Sequence, residues 1–191
     1  MKEHDLTALI VASCLMLTTA PSTATTLVAK DLESLTRDAD NICTARVIDA
    51  VSFLKGGRIY TLNRVQITES VKGNEKAGDI MEVVTAGGHS ELFSQKVFGA
   101  AELEVDEEYL LFLEHRGSPD ISHTVGMTQG ALPLSLDARA ATRLVNPPRA
   151  LPRLMIRDAE TGQLRDREAW LTEARPLTEI LTQVRAYLGG H

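Results

Sequence analysis

The fold is decided by residues 41–71, which read NICTARVIDAVSFLKGGRIYTLNRVQITESV. Both halves are rich in β-branched residues, which favour an extended chain. The first half alternates, and the face expected to be buried carries Cys43, Ala45, Val47 and Val51. Between the halves, Lys55-Gly56-Gly57-Arg58 supplies a turn that tolerates positive φ. The sequence therefore predicts a hairpin of two strands, over residues 41–54 and 59–71.

Short strand patterns continue at close spacing after this hairpin. They cover residues 80–86, 109–113, 121–125, 131–136 and 142–145. Residues 109–113 read YLLFL, an unbroken apolar run that is typical of a central strand buried on both faces. Because no βαβ alternation appears, these patterns predict a mainly β fold, either a small antiparallel barrel or a sandwich.

A helix is predicted on each side of the β region. The first covers residues 30–40, with Asp31 as its N-cap. The second follows Pro176, and its apolar stripe runs from Leu177 to Leu188 before Gly189-Gly190 ends it. Between the last strand and this helix, three prolines interrupt any ladder, and residues 155–164 are expected to form a small hairpin.

The N-terminus has the pattern of a cleavable signal peptide. Leu6 to Leu17 form an uncharged, mostly apolar run, too short to cross a bilayer but suited to a signal sequence. Ser22-Thr23-Ala24 then offers a cleavage site, which predicts a mature chain that starts at Thr25. An alternative stays open, because Val11-Ala12-Ser13-Cys14 resembles a lipobox in which Cys14 is lipidated.

These boundaries divide the chain into three parts. Residues 1–24 are the signal peptide and residues 25–145 the β-barrel domain. Residues 146–191 hold the proline-rich connection, the small hairpin and a C-terminal helix packed on the barrel.

The net charge of −6 and the absence of a basic cluster argue against a nucleic-acid partner. Cleavage would leave Cys43 as the only cysteine, so no intramolecular disulfide is expected. We expect a bacterial periplasmic or extracellular protein with no transmembrane segment in the mature chain.

The order of the elements resembles a widespread group of exported bacterial proteins that look like the netrin-like module. That module is an OB-type β-barrel, also found in tissue inhibitors of metalloproteinases. The likeness covers roughly residues 30–136 and is carried by the following segments: Leu32–Asp40, Ile42–Val47, Val65–Ile67, Val71-Lys72-Gly73, Val97-Phe98-Gly99, Tyr109–Leu113 and Val125–Gly130. The resemblance implies an OB-like, netrin-like barrel with a short N-terminal helix and a C-terminal amphipathic helix.

The same resemblance does not imply the inhibitors' mechanism. Those inhibitors act through an N-terminal cysteine that chelates the target's zinc, and through disulfides that stiffen that edge. The predicted mature terminus here is Thr25, and there are no bridges to carry over. The resemblance therefore implies no catalytic residues for this chain.

Motifs that carry chemistry have simpler structural interpretations. Gly126-Met127-Thr128-Gln129-Gly130 echoes a nucleophile elbow, but a strand pattern follows where the elbow needs a helix, so we interpret it as a bend. Cys43 lies in an apolar stripe, which favours an inert buried thiol over a nucleophile or a redox sensor. The acidic stretch over residues 102–108 lacks the spacing of a calcium loop and is interpreted as a solvated turn.

The histidines show no metal-binding spacing, and the sequence predicts no metal site, no cofactor and no catalytic residue. The four that would remain after cleavage are His89, His115, His123 and His191. Surface or turn positions are the simpler interpretation for all four.

Residues 87–98 are the segment that we single out as a candidate site. Long irregular loops inside compact domains often carry function. Its candidate partner-binding residues are Gly87, Gly88, His89 and Phe93. The alternative is that Leu92 and Phe98 fold back to cap the barrel.

The function predicted on this basis is that of an exported, non-catalytic binding or accessory module. Its expected partner is another envelope or secreted protein. Two alternatives remain: a hydrolase-like enzyme that assembles its site from dispersed residues, such as His89 with an acid, and a structural envelope protein anchored by lipid on Cys14.

Overall fold

A computed structural model describes residues 26–90, 93–118, 120–158 and 161–190. The predicted signal peptide, Cys14 and the expected terminus Thr25 lie outside these ranges, as do Leu92 and His191. The described chain is mainly β, with one helix near each end, which confirms the predicted fold class. No helix within it is long and apolar enough to cross a membrane.

Two helices, thirteen strands and one 3-10 turn make up the described chain. The helices are α1 (Leu32–Asp38) and α2 (Leu177–Gly189). The strands of the first half are β1 (Thr26–Val28), β2 (Asn41–Lys55), β3 (Arg58–Lys72), β4 (Ile80–Ala86), β5 (Gly88–His89), β6 (Ser94–Gln95) and β7 (Glu108–His115). The second half holds β8 (Ile121–Thr124), the 3-10 turn (Met127–Gly130), β9 (Ala131–Asp137), β10 (Thr142–Val145), β11 (Arg153–Arg157), β12 (Leu164–Asp166) and β13 (Arg175–Pro176).

The main sheet curves into a barrel-like shape. Its strand order is β13-β10-β9-β7-β2-β3-β4-β8, and β7 pairs with β8 as well. Five strands therefore follow one another around the arc: β7, β2, β3, β4 and β8. The barrel does not close fully, since β4 and β8 share only a short parallel register, Glu82 with Ile121 and Val83 with Ser122.

A β-bulge in β2 corrects one sequence prediction. Val47 pairs with Val65 and Asp49 with Arg64, so Ile48 is an extra residue on β2. An extra residue reverses the alternation beyond it. Cys43, Ala45 and Val47 are buried as predicted, but Val51 is 56% exposed on the opposite face. The prediction that Val51 joins the buried stripe is therefore wrong.

The core has two parts on opposite sides of the sheet. The interior of the barrel packs the inward residues of β2, β3, β4 and β7, among them Val47, Val65 and Leu111. The outer face of β7, with Leu110 and Phe112, packs under the two helices. The YLLFL run is thus buried on both faces, and all five of its side chains are almost completely buried.

The C-terminal helix α2 lies against this second part of the core. Leu177, Ile180, Leu181 and Val184 are buried there beside α1 and β10. At the other terminus of the described chain, β1 pairs in parallel with β11, a long-range pairing that local sequence patterns do not reveal. The buried Gln129 holds the short link between β1 and α1, since its Nε2 donates to Val28 O and its Oε1 accepts from Lys30 N–H.

Candidate functional site

The predicted functional loop folds as a tethered hairpin. β5 and β6 pair through Gly88 with Gln95 and His89 with Ser94, and we call the described residues 87–90 and 93–95 the β5–β6 hairpin. Ser90 N–H donates to Phe93 O at 2.8 Å across its tip. The described residues of the loop therefore form a regular strand pairing that their irregular sequence does not predict.

Two glycines let the hairpin lie close to the main sheet. Gly87 has φ +94° and Gly88 φ +137°, in the region that favours glycine. A Cβ on Gly88 would lie 2.3 Å from Ser52 Oγ and 2.4 Å from Thr61 Oγ1. These glycines therefore shape the base of the hairpin, and no side chain of theirs is available for a partner.

Hydrogen bonds fix the hairpin to β2 and β3. Thr61 Oγ1 donates to Gly87 O at 2.8 Å, and Ile59 N–H donates to Gln95 Oε1 at 2.8 Å. His89 N–H donates to Ser52 Oγ at 3.2 Å. A loop held at three points loses little further conformational entropy when it binds a partner.

The side chains that remain for binding lie on the exposed side. Phe93 is 50% exposed near the tip, and His89 on β5 is exposed as well. Phe98 is 65% exposed, so the alternative in which Phe98 caps the barrel is wrong. Leu92, the other residue of that alternative, lies outside the described residues. Among the described residues, His89 forms no hydrogen bond or ion pair with a carboxylate.

A cleft of about 760 Å³ lies between the hairpin and the face of β2, β3 and β4, and we call it the polar cleft. Its floor carries four polar side chains: Ser52, Thr61, Asn63 and Thr85. Ser52 pairs with Thr61 across β2 and β3, and Thr61 pairs with Thr85 across β3 and β4. The hydroxyl groups therefore form a row across three neighbouring strands.

Asn63 is the most unusual residue of the floor. Its side chain is 1% exposed, and its amide nitrogen donates to Val83 O, Thr61 O and Thr85 Oγ1 at 3.1 to 3.2 Å. Its Oδ1 has no hydrogen-bond partner among the described residues. Exchanging the amide nitrogen and oxygen would place an acceptor against the two carbonyl oxygens of Thr61 and Val83, so these two contacts fix the orientation.

The charged side chains around the cleft are paired. Lys96 Nζ lies 2.9 Å from Glu102 Oε1 at the rim, and Arg149 contacts both Glu104 and Glu107. The contact with Arg149 holds the pKa of Glu107 below its usual range. Arg149, in the proline-rich connection, thus forms ion pairs with the acidic stretch, and we call this contact the clasp. Local sequence does not reveal it, because its residues lie far apart in the chain.

Tyr109 is tied to the same acidic turn. Its Oη donates to Glu107 Oε2 at 2.9 Å and accepts from Glu104 N–H at 3.0 Å. Burial raises the pKa of its hydroxyl to about 12, so the phenol stays protonated at neutral pH. Tyr109 therefore acts as a structural hydrogen-bond partner inside the barrel.

Cys43 is buried in the barrel core, as its apolar stripe predicts. Burial raises the pKa of its thiol to about 12. Because the thiolate is the reactive form, this environment leaves the sulfur unreactive at neutral pH.

Each of the described histidines has its own surroundings. His89 is on β5, His115 pairs with Asp40 at the end of β7, and His123 on β8 contacts Val84 O at 3.2 Å. The described part of the chain contains no group of three or more His, Cys, Asp or Glu side chains suited to a metal ion.

The glycine-flanked segment at residues 126–130 is a bend, as its sequence predicts. Gly126 and Met127 have positive φ, and a 3-10 turn leads directly into β9. The helix that a nucleophile elbow needs is replaced by a strand.

Sequence patterns missed the floor of the polar cleft. Ser52 appeared to face outward, because the bulge at Ile48 does not show in the alternation. The sequence of β3 did indicate a polar floor. Thr61 and Asn63 fall on the same alternating, inward-facing positions as Val65 and Ile67, but they are polar. Polar residues in an inward phase indicate a lined cavity or a buried network.

Comparison with known proteins does not place the chain in a family. No protein-family model matches it, and no curated protein matches it significantly. The argument for function therefore rests on the geometry of the hairpin and the cleft.

Proposed function

We propose that this protein is an exported, non-catalytic binding module that holds another envelope or secreted protein on the β5–β6 hairpin. The observation that carries the proposal is Phe93, half exposed at the tip of a hairpin that is fixed to the main sheet. A rigid exposed aromatic side chain is typical of binding hot spots. His89, exposed on the same hairpin, adds a polar group.

The netrin-like character of the module belongs to the same proposal. The arc of β7, β2, β3, β4 and β8, with its short parallel contact, fits a five-stranded and partly open barrel of the OB type. Export through the signal peptide at residues 1–24 places the module in the periplasm or outside the cell.

The test of the proposal is capture from periplasmic and extracellular fractions with the mature protein as bait. The double variant Phe93→Ala with His89→Ala is compared with wild type by quantitative mass spectrometry. Tyr187→Ala, which changes an exposed aromatic residue on α2, serves as the control. We expect the partner to be lost only with the double variant.

The captured partner is then purified and titrated against each protein. Because both residues are exposed, the stability of the double variant should stay within about 1 kcal/mol of wild type. Equal affinity of wild type and double variant for the purified partner would refute the proposed surface. Turnover in a broad hydrolase screen that disappears with His89→Ala would instead support the enzyme alternative.

A further inference from the structure

The polar cleft under the β5–β6 hairpin is a second place where a ligand could bind, separate from Phe93. We propose that it binds a neutral polyhydroxylated ligand of the monosaccharide class. Its volume of about 760 Å³ lies within the range of small-molecule sites, which is roughly 300–1,000 Å³. This inference does not depend on the partner surface proposed above.

The unpartnered oxygen of Asn63 indicates what the ligand must supply. A buried carbonyl oxygen without a partner is unfavourable, and such groups are rare in native proteins. The two carbonyl oxygens beside Nδ2 hold the amide in place, so Oδ1 is left without a donor among the described residues. A ligand with an O–H or N–H group satisfies it.

The hydroxyl row selects ligands that both donate and accept. Ser52 Oγ and Thr61 Oγ1 lie 3.0 Å apart, and Thr85 follows Thr61 on the next strand. Thr61 Oγ1 donates to Gly87 O and therefore accepts from Ser52 Oγ, so both of these hydroxyls are left to accept from a ligand, whereas Thr85 Oγ1 accepts from Asn63 and keeps its own O–H to donate. Sugar hydroxyls have the same dual capacity and a comparable spacing, so several can be matched at once.

The charge of the cleft favours a neutral ligand. Lys96 and Glu102 neutralise each other, and Glu104 is paired with Arg149. An anionic or cationic ligand would need an unpaired counter-charge in the lining, and only the exposed His89 at the rim has no ion pair among the described residues. A desolvated charge without a partner is costly.

The experiment titrates the mature protein separately with D-glucose, D-galactose and N-acetyl-D-glucosamine, followed by NMR chemical shifts and calorimetry. We expect saturable binding of at least one sugar with a Kd of about 1 mM or lower. Cyclohexanol, which has one hydroxyl, is the ligand control and should bind at least ~tenfold more weakly.

A matched pair of variants tests the location. Ala50 lines the cleft and is the register partner of Asn63 on the neighbouring strand. Ala50→Leu therefore fills part of the cleft without removing a hydrogen bond. Val51→Leu makes a similar change on the other face of β2. Ala50→Leu should weaken sugar binding by at least ~tenfold, whereas Val51→Leu and Phe93→Ala should leave it unchanged.

Three results would overturn the inference: no saturable binding of any of the three sugars, equal binding by Ala50→Leu and wild type, or cyclohexanol binding as tightly as the sugars. If Ala50→Leu does not fold, Thr85→Val replaces it, because it removes one hydroxyl of the row and keeps the shape. Retained sugar binding by a folded Thr85→Val would equally contradict the role of the row. Phe93 does not line the cleft, so Phe93→Ala separates the two proposals: it should weaken partner capture and leave sugar binding unchanged.

Discussion

Gly88 is the residue whose substitution tests the tethered hairpin most directly. It combines φ +137° with side chains of Ser52 and Thr61 that occupy the space of a Cβ. Gly88→Ala should therefore lower the free energy of unfolding by about 2 kcal/mol or more. Gly57→Ala is the control, because Gly57 also has positive φ but no atom near its Cβ position. It should cost only about 1 kcal/mol in the same urea titration.

The clasp between Arg149 and Glu107 makes a pH-dependent contribution to stability. The hydrogen bond that Glu107 accepts from Arg149 lowers the pKa of Glu107 in the folded state. A depressed pKa means that the stabilisation is present above the unfolded pKa of about 4.3 and is lost as pH falls through the folded pKa. Glu107→Gln should thus destabilise by about 0.5 kcal/mol at pH 7, and by less below pH ~4.

The measurement is urea unfolding of wild type and variant at a series of pH values. Glu173→Gln is the control, since Glu173 is exposed and forms no ion pair within the described residues. A stability difference for Glu107→Gln that stays constant down to acid pH would show that the carboxylate charge contributes nothing.

At the scale of elements, the C-terminal helix α2 is the clearest test of packing. Ile180 is completely buried against the outer face of the barrel. Ile180→Asp would bury an unpaired charge and should cost about 3 kcal/mol or more, measured by thermal or urea unfolding. Thr182→Asp, on the exposed side of the same helix, should cost less than ~1 kcal/mol. An unchanged melting temperature for Ile180→Asp would mean that α2 does not pack on the barrel in solution.

Local patterns predicted most of these elements and little of what joins them. The strand predicted at residues 80–86 matches β4, and the one predicted at residues 142–145 matches β10. Alternation and apolar runs are local, so one sequence window reveals them. The parallel pairing of β1 with β11 and the clasp by Arg149 join residues far apart in sequence, which no window contains. The loop at residues 87–98 was found from its irregularity, but the cleft beneath it depends on a bulge that alternation hides.

For the whole molecule, processing is the main prediction. If cleavage follows Ala24, the mature chain begins at Thr25, directly before β1, which pairs with β11. N-terminal peptide mapping of the exported protein should find Thr25 as the first residue. A lipid-modified Cys14 at the terminus would contradict both the cleavage site and the release of the module from the membrane.

The bulge at Ile48 makes one strand serve two purposes. Before it, the inward side chains of β2 are those of a dry interior, and after it they include Ser52 on the floor of the cleft. Deleting that one codon would keep the amino-acid composition almost unchanged and yet turn the outer half of the hairpin over. Val51 and Phe53 would then face the cleft, and Ser52 would face water. One extra residue in β2 therefore decides whether polar or apolar side chains face the cleft. An in-frame deletion of Ile48 would change this surface far more than most substitutions nearby.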